Sequence, residues 1–343
     1  RWEFRTEGGQ GNCNNVASPC VIDGYVHVGT MAGVYYVLDC RDGKLVRRVD
    51  CGEPIFASPV SGGDRVYFAT LGARVHCLQA NGDPCWEWDF VREVIGFKGD
   101  RWKGEDWLAF RGDRVTWRDH FVCSREICLI DKTVVIPAGG RTVFLDDGGD
   151  HPSLRHVGEI PDYVGKEYPA TFGQSADAAG RVFVQWHRRD NAGRVEIMEL
   201  VDGKLTTQVV PGTETSIDQQ GLLSFASVSV RDDAVYRVRP EEGAGLCRHS
   251  LDTMETEVLC EAASICPPVL TRDHAIYGGL KGKVHVVPLA DGEPFAFETG
   301  FGAAISAAVA VARDRIFVPC EDGYLYIYGA GGKHALPQQD LQV

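Results

Sequence analysis

A repeat with a period of 40 residues constrains this chain more than any other feature. The stretch ASPCVIDGYVHVGTMAGVYYVLDCRDGKLVRRVD begins at Ala17, and ASPVSGGDRVYFATLGARVHCLQANGDPCWEWDF begins 40 residues later at Ala57. Each copy reads as four short strands. The third and fourth strands are joined by Asp42-Gly43 in one copy and Asn81-Gly82 in the other, dipeptides that suit a tight hairpin. The repeat therefore predicts an all-β fold built from four-stranded units.

Five looser copies of the unit follow the first two. They begin near Cys128, Ser175, Ser227, Pro267 and Ser306. Seven such units predict a seven-bladed β-propeller of four-stranded antiparallel blades, with eight blades as the alternative, because radial repetition leaves few strand edges unprotected. The last unit runs out of chain before its fourth strand, so we expect Arg1 to Thr6 to supply that strand and close the ring.

We expect a single propeller domain over residues 1–332 and a polar C-terminal tail over 333–343. The segment 97–121 fits no unit and is predicted to be an insertion. The chain has 343 residues, of which 44% are hydrophobic, and this is enough to bury one large interior.

Charge and hydropathy exclude two classes of function. The formal net charge is −13, and no cluster of lysines offers the cationic footprint that phosphates need, so we expect no binding to nucleic acid. The most apolar stretch, AAISAAVAVA at 303–312, is about half of the ~20 residues that a membrane helix requires. The sequence therefore predicts a soluble protein without a transmembrane segment.

The chain has twelve cysteines, an even number that would allow up to six disulfides in an oxidising compartment. The alternative is that they are buried free thiols acting as small apolar residues. The count favours a periplasmic or secreted protein; no signal peptide precedes Arg1, and a mature chain would look the same. The local candidates for pairing are Cys13 with Cys20, Cys77 with Cys85, Cys123 with Cys128, and Cys260 with Cys266.

The first unit, YVHVGTMAGVYYVLDCRDGKLVRRVDCG, resembles the PQQ-like propeller repeat of the quinoprotein dehydrogenase-like superfamily. The family pattern runs through small-Ser-Pro, a VYVGS-type strand, a glycine, an LYALD-type strand, Thr-Gly-Lys and a tryptophan. In the family this tryptophan, four residues after the turn glycine, packs between blades. Here Trp86 keeps the slot, and Trp2 would fill it through ring closure. Other residues stand in the slot elsewhere, namely Arg47, Thr207 and Ala296.

The resemblance implies a member of the superfamily that is not a dehydrogenase. The true enzymes are larger, usually have eight blades, and carry two adjacent cysteines beside the quinone, whereas this sequence has no adjacent cysteines. We therefore expect no bound PQQ and keep quinone-dependent oxidation only as an outside hypothesis. The acidic stretch DDGGDH at 146–151 lacks the spaced ligands of a calcium motif, so an ordinary turn is favoured over structural calcium, and no other metal is expected.

The loops of a propeller divide between two faces, and one face of this chain carries most of the chemistry. Loops that join strand two to strand three share a face with the connections into strand one, and the three-to-four hairpins lie opposite. The hairpins here are ordinary turns. The other face collects aromatic, charged and histidine residues that predict a site at the mouth of the central channel. The predicted site residues are Trp117, Arg118, Asp119, His120, Trp186, His187, Arg188, Arg239, Glu241, Tyr277 and Glu321.

Two functions are compatible with these residues. The first is an extracytoplasmic propeller that binds a glycan or a protein at the channel mouth without chemistry. The alternative is an enzyme at the same site, a lyase or hydrolase acting on acidic saccharides, in which Arg118, Arg188 or Arg239 neutralises a carboxylate while His120 or His187 moves a proton. Seven-bladed polysaccharide lyases make the second hypothesis possible by analogy alone. For any one arginine, pairing with a neighbouring carboxylate to hold the loops is the simpler interpretation.

Overall fold

The structure is a computed structural model, and it describes most of the chain. The described residues are 2–7, 17–112, 120–159, 170–187, 193–214, 227–240, 243–300, 302–312, 315–322, 324–329, 336–337 and 341–342.

Seven antiparallel sheets follow one another along the chain, and each is built from consecutive strands. Six sheets have four strands, and the last has a fifth short strand beside its outer edge. They are the blades of a seven-bladed β-propeller, numbered 1 to 7 in chain order, so the predicted fold class is confirmed.

The strands of the first four blades are short, from three to nine residues. Blade 1 has β1 Cys20–Ile22, β2 Tyr25–Gly29, β3 Val34–Asp39 and β4 Leu45–Asp50. Blade 2 has β5 Val60–Gly62, β6 Arg65–Ala69, β7 Arg74–Gln79 and β8 Pro84–Asp89. Blade 3 has β9 Cys128–Ile130, β10 Thr133–Ala138, β11 Arg141–Asp147 and β12 Pro152–Glu159. Blade 4 has β13 Ala170–Ala176, β14 Val182–His187, β15 Gly193–Val201 and β16 Lys204–Val209.

The remaining blades follow the same order. Blade 5 has β17 Ser229–Arg231, β18 Ala234–Val238, β19 Leu246–Ser250 and β20 Thr256–Cys260. Blade 6 has β21 Val269–Leu270, β22 His274–Gly278, β23 Lys283–Pro288 and β24 Phe295–Glu298. Blade 7 has β25 Ala310–Ala312, β26 Arg315–Pro319, β27 Tyr324–Gly329, β28 Leu336–Pro337 and β29 Leu341–Gln342.

The outer edge of blade 7 differs from the expectation drawn from the sequence. Both β28 and β29 pair with β27, so the segment 333–343 contributes strands to the last sheet. The described N-terminal residues 2–7 form no strand. The outer position of blade 7 is therefore taken by the C-terminal segment and not by Arg1 to Thr6, which corrects that detail of the predicted closure. The reason is local, because β28 follows β27 after only a few residues.

The three-to-four hairpin of blade 4 has the backbone that its sequence predicts, whereas in the turns of blades 1 and 2 only the glycines, Gly43 with φ 70° and Gly82 with φ 87°, have a positive φ. In blade 4, Asp202 has φ 49° and Gly203 has φ 74°. Two consecutive positive φ angles define the tight turn that matches the twist of a hairpin, and aspartate followed by glycine meets that demand at low cost.

The chain divides into two compact units. The first comprises Arg1–Val182, Trp186–Arg189 and Met198–Thr206, and the second comprises the remaining residues. Blades 1 to 3 lie in the first unit, where a core of aromatic and aliphatic side chains runs through blades 2 and 3. Blades 5 to 7 lie in the second unit, with cores around Tyr277 and around Tyr326.

The helical structure between blades 2 and 3 lies just before and within the expected insertion 97–121. A π-helical turn covers Val91–Ile95, and the helix α1 covers Gly104–Arg111. The side chain of Trp107 is 1% exposed, because its ring stacks on Phe97 at 3.9 Å between centroids and lies 5.8 Å from the ring of Phe121. The aromatic rings of the insertion therefore extend the core that runs through blades 2 and 3. Within the described residues, no helix has the length and apolar character needed to cross a membrane.

Candidate functional site

A buried network of charges fixes the insertion to blade 2. Glu53 lies in the connection from blade 1 to blade 2, Asp89 ends β8, and Arg101 belongs to the insertion; their side chains are 6%, 10% and 7% exposed. The Nε of Arg101 lies 3.3 Å from Oε1 of Glu53, and its Nη2 pairs with Asp89. Its Nη1 donates to the carbonyl of Gly72 at 2.6 Å. One guanidinium thus connects three separate segments, and each charge in this buried region is compensated.

The loop that joins β6 to β7 belongs to the same network. The hydroxyl of Thr70 donates to Oε2 of Glu53 at 2.6 Å. A Cβ at Gly72 would overlap the Glu53 carboxylate, so the close approach requires glycine. The N–H of Cys123, just after the insertion, donates to the carbonyl of Leu71 at 3.0 Å. In the first unit, therefore, a two-to-three loop, a connection into strand one and the insertion meet on one face of blade 2, as the sequence predicts.

The insertion presents large apolar side chains to solvent on this anchored base. Trp102 is 42% exposed, Leu108 is 42% exposed and Phe110 is 47% exposed. We call these three exposed residues of one short segment the insertion patch; Leu108 and Phe110 lie two positions apart on α1 and so project from different sides of the helix. Trp102 keeps one edge against the ring of Phe121, with centroids 5.5 Å apart, so the patch is continuous with the aromatic core beneath it. Large apolar side chains, aromatic ones above all, are enriched at interaction surfaces.

Five predicted site residues lie outside the described residues. They are Trp117, Arg118, Asp119, Arg188 and Glu241. The backbone of His187 ends strand β14, and this is all that is described of it. The proposed pairing of Arg118 with His120 or His187 as an acid–base site therefore stays a prediction.

His120 lies at the C-terminal end of the insertion. Its ring is partly buried and faces that of Trp107, with centroids 6.4 Å apart and an angle of 28° between the planes. Its carbonyl accepts a hydrogen bond from Arg141 at 3.5 Å. This candidate residue thus belongs to the aromatic base of the insertion patch.

Two of the predicted aromatic residues pack in the interior. Trp186 is 4% exposed in β14, and Tyr277 is fully buried in β22. The ring of Tyr277 stacks on His285 at 4.9 Å, and its hydroxyl donates to the carbonyl of Ala262 at 3.1 Å. Burial raises the pKa of the Tyr277 hydroxyl well above its ordinary value. Both rings contribute to packing, and their role in binding stays a prediction.

Arg239 and Glu321 occupy the loops in which the sequence places them. Each follows the second strand of its blade, β18 for Arg239 and β26 for Glu321. The N–H of Arg239 donates to Gly245 at 2.8 Å, its carbonyl accepts from Ser264 at 2.9 Å, and the N–H of Glu321 donates to Ala304 at 3.0 Å. These loops are held by backbone hydrogen bonds, and a shared ligand site among them stays a prediction.

Asp147 accepts hydrogen bonds from several donors and connects blade 2 to blade 3. Its carboxylate accepts from Trp86 Nε1 at 2.9 Å, from the Tyr67 hydroxyl at 2.7 Å and from Arg65 Nη1 at 2.8 Å. The N–H of Gly149 donates to it at 2.9 Å. Burial by itself would raise the pKa of Asp147, but the hydrogen bonds and the Arg65 charge more than offset it and lower that pKa. We call this arrangement the 2/3 clasp.

The contacts of the clasp show what the first two carboxylates of the acidic stretch 146–151 bind. Asp147 uses its oxygens for N–H and O–H donors, and Asp146 accepts from the hydroxyl of Thr133 at 2.6 Å. Across the described part of the chain, no group of three or more His, Cys, Asp or Glu is placed to hold a metal ion. The structure thus gives this turn a role in joining blades.

Two other side chains lie beside the turn glycine of a blade, where the family resemblance places the tryptophan slot. The ring of Trp2 lies over the turn glycine Gly43, and its Nε1 donates to the carbonyl of Cys40 at 2.8 Å. Arg47 contacts the turn glycine of blade 2, Gly82, and pairs with Asp83. Trp2 and Arg47 thus contact the turn glycines of blades 1 and 2, and Trp86 contacts blade 3 through Asp147. That this slot is of the PQQ-like type stays a prediction.

The cysteines in the described residues are free thiols. All eleven of them are unpaired, and Cys13 lies outside the described residues. The pairs Cys77–Cys85, Cys123–Cys128 and Cys260–Cys266 are accordingly not confirmed as disulfides. Cys85 is the extra residue of a bulge in β8, where Cys77 faces Trp86 and Leu78 faces Pro84, so its side chain lies beside Cys77. Burial raises the pKa of the Cys77 thiol well above its ordinary value, and Cys85 raises it further.

Sequence reasoning missed the residues that anchor the insertion. Glu53, Asp89 and Arg101 are separated by 36 and 12 positions along the chain, and none belongs to a motif. The exposed patch had a detectable signal, because FKGDRWKGEDWLAF combines apolar residues with charges in a segment that fits no repeat. A segment this short cannot bury all of its apolar side chains, so some of them are expected to be exposed.

No family model and no curated protein matches the chain. Solved structures do match it. BamB from Moraxella catarrhalis is 16% identical, with 97% of this chain and 87% of that chain covered and a TM-score of 0.61. The Pan2 WD40 domain of Neurospora crassa is 10% identical, with 95% and 92% covered and a TM-score of 0.60. At these identities the likeness concerns the fold, which is that of a β-propeller.

Proposed function

We propose that this propeller is a binding protein that docks a protein partner on the insertion patch. The observation that carries the proposal is the patch itself, in which Trp102, Leu108 and Phe110 are more than 40% exposed on a base fixed by Arg101. A monomer gains nothing by exposing three large apolar side chains on one small insertion, whereas a partner that covers them gains their burial.

The composition of the patch favours a protein over a glycan. A tryptophan or phenylalanine ring can stack on a sugar, but the branched side chain of Leu108 offers no flat face and contributes only by apolar burial. Two of the solved structures that resemble this chain, BamB and the Pan2 WD40 domain, are β-propellers. They support a binding role only through the shared fold. We also infer that the repeat is of the PQQ-like type, which is supported by the packing of Trp86 and Trp2.

The proposal is tested by site-specific photo-crosslinking. A photoreactive phenylalanine analogue replaces Phe110 in the patch or, as the matched control, Phe295, which is 53% exposed on β24. We expect one discrete protein adduct from position 110 and none from position 295. Excess unlabelled wild-type chain should compete with the adduct, and a Leu108→Asp variant should not.

Three results contradict the proposal. They are equal adducts from both positions, competition by Leu108→Asp that equals competition by the wild type, and binding to an acidic glycan that Leu108→Asp abolishes. The last result would move the assignment to the saccharide alternative.

We further propose that the chain works outside the cytoplasm, in the periplasm or after secretion. The even number of cysteines supports this, as does the bulge that sets Cys85 beside Cys77. Protein isolated without reductant and alkylated should yield a peptide in which Cys77 and Cys85 are disulfide-bonded, formed by thiol–disulfide exchange with a disulfide oxidant of that compartment. Complete alkylation of both thiols would contradict the location.

A further inference from the structure

The 2/3 clasp depends on one row of residues across blade 2. Tyr67 on β6 is opposite Cys77 on β7, and Cys77 is opposite Trp86 on β8. The row ends at the indole, which packs on the ring of Tyr67 with centroids 6.0 Å apart and donates to Asp147 of blade 3. In this place a tryptophan side chain fills the space between two blades.

Blade 5 has the same row with a different last residue. Tyr236 on β18 is opposite Arg248 on β19, and Arg248 is opposite Glu257 on β20. The tyrosine is retained, but Glu257 stands where blade 2 has its tryptophan. The side chain of Glu257 is 64% exposed and lies 3.9 Å from Arg248, so it does not fill the space.

The acceptor on the next blade is replaced as well. In blade 3 the N–H of Asp147 donates to the carbonyl of Lys132, the residue before β10. In blade 6 the N–H of Leu289 donates to the carbonyl of Asp273, the residue before β22. Leu289 therefore occupies the place of Asp147, so the tryptophan and the aspartate of the clasp are both replaced between blades 5 and 6.

An open groove results from these replacements. Its volume is about 440 Å³, within the range of sites for small ligands. Blade 5 contributes a tyrosine floor and charged walls, and the hairpin of blade 6 forms the other side. The principal lining residues are Tyr236, Arg248, Glu257, Leu259, Leu289 and Asp291.

We propose that this groove binds a tryptophan side chain of a partner polypeptide, in the manner in which Trp86 fills the corresponding space within the chain. Tyr236 would contact the indole as Tyr67 does. The carboxylate of Glu257 or Asp291 would accept the indole N–H, and the guanidinium of Arg248 would pack on its face. The inference does not rest on the insertion patch.

The position of the groove favours a polypeptide over a free aromatic molecule. It is bordered by β20, the outermost strand of blade 5, whose outer edge has no partner strand among the described residues of that sheet. An extended peptide can hydrogen-bond along such an edge and place every second side chain toward the same surface. A tryptophan in an extended segment would then enter the groove while its backbone pairs with β20.

The test uses two probes and the full chain. The probes are N-acetyltryptophanamide and the extended peptide acetyl-Thr-Val-Trp-Val-Thr-amide, titrated by calorimetry and by saturation-transfer NMR. We expect the peptide to bind at least tenfold more tightly than the amide. Glu257→Trp should lower the affinity for both probes at least tenfold, because its own indole fills the groove. Glu298→Trp, the same change on the outer strand of blade 6, should leave both affinities unchanged.

Ala290→Arg provides a second variant, since it blocks the groove from an exposed hairpin position if Glu257→Trp fails to fold. Binding of the probes that neither groove variant weakens would overturn the proposal, as would an absence of binding to the wild type. Equal affinities for the amide and the peptide would overturn the polypeptide part and leave a site for a free aromatic ligand.

Discussion

At the scale of single residues, Asp147 determines how blades 2 and 3 are joined. Asp147→Ala leaves Arg65 without its carboxylate and removes the acceptor of Trp86 and Tyr67. We expect the free energy of unfolding to fall by about 3 kcal/mol, as for other buried pairs that lose one partner. Urea denaturation of the variant measures the loss. Asp150→Ala changes an exposed carboxylate of the same turn and should cost little; an equal loss in both variants would contradict the role of the clasp.

Two buried histidines make stability depend on pH. Burial is the main cause that lowers the pKa of His76 and of His249 to about 4, and nearby arginines contribute. In the unfolded chain the pKa of each histidine returns to about 6.5. Between pH 4 and pH 6.5, therefore, each histidine binds a proton in the unfolded state but not in the folded state. Their contribution to stability is present above pH 6.5 and is lost as the pH falls toward 4.

His76→Phe tests this pH dependence by keeping a ring against Phe68 while removing the titration. At pH 5 each histidine should cost the wild type about 2 kcal/mol relative to pH 7. The difference in unfolding free energy between pH 7 and pH 5 should shrink by that amount in the variant, and it should be unchanged in His151→Gln, which alters an exposed histidine. Equal pH dependence in His76→Phe and the wild type would show that His76 is not responsible.

At the scale of elements, the insertion is the part of the fold that sequence reasoning describes least. The repeat predicts the blades because similar strand and turn residues recur at intervals of about 40 to 50 positions outside the insertion. The insertion has no second copy, and its anchor is formed by charges that are distant in sequence. The outer strands of blade 7 were missed for a related reason, since β28 and β29 have two residues each and carry no alternation of apolar and polar residues.

Removal of the anchor should release the insertion while the blades stay folded. Arg101→Met removes the nearest cation of the buried Glu53 and Asp89. It leaves them Arg74, which lies 3.7 Å from each carboxylate, so water should enter the base of the insertion. Hydrogen exchange should become at least tenfold faster in α1 and stay unchanged in β10 and β11. Arg92→Met is the matched control, since it removes a cation that lies 3.7 Å from Asp89 but is 64% exposed. Unchanged exchange in α1 would show that the aromatic core holds the insertion without the ion pairs.

At the scale of the whole molecule, the outer edge of blade 7 should control self-association. Removal of residues 333–343 deletes both strands that cover β27. The backbone N–H and C=O groups of β27 then become available for pairing with another chain. We expect concentration-dependent oligomers by size-exclusion chromatography with light scattering. Removal of residues 341–343 alone deletes β29 and should have a smaller effect. A truncated chain that remains monomeric at every concentration would contradict the role of these strands.

The buried attachment of Arg101 has a consequence for the thermodynamics of recognition. A surface loop that becomes ordered only on contact must lose conformational entropy when it binds, and that loss weakens the complex. The insertion patch rests on stacked rings and on three compensated charges, so its shape exists before any partner arrives. Association at this surface should therefore resemble the meeting of two rigid bodies, with a small entropic penalty and little change in the structure of the propeller.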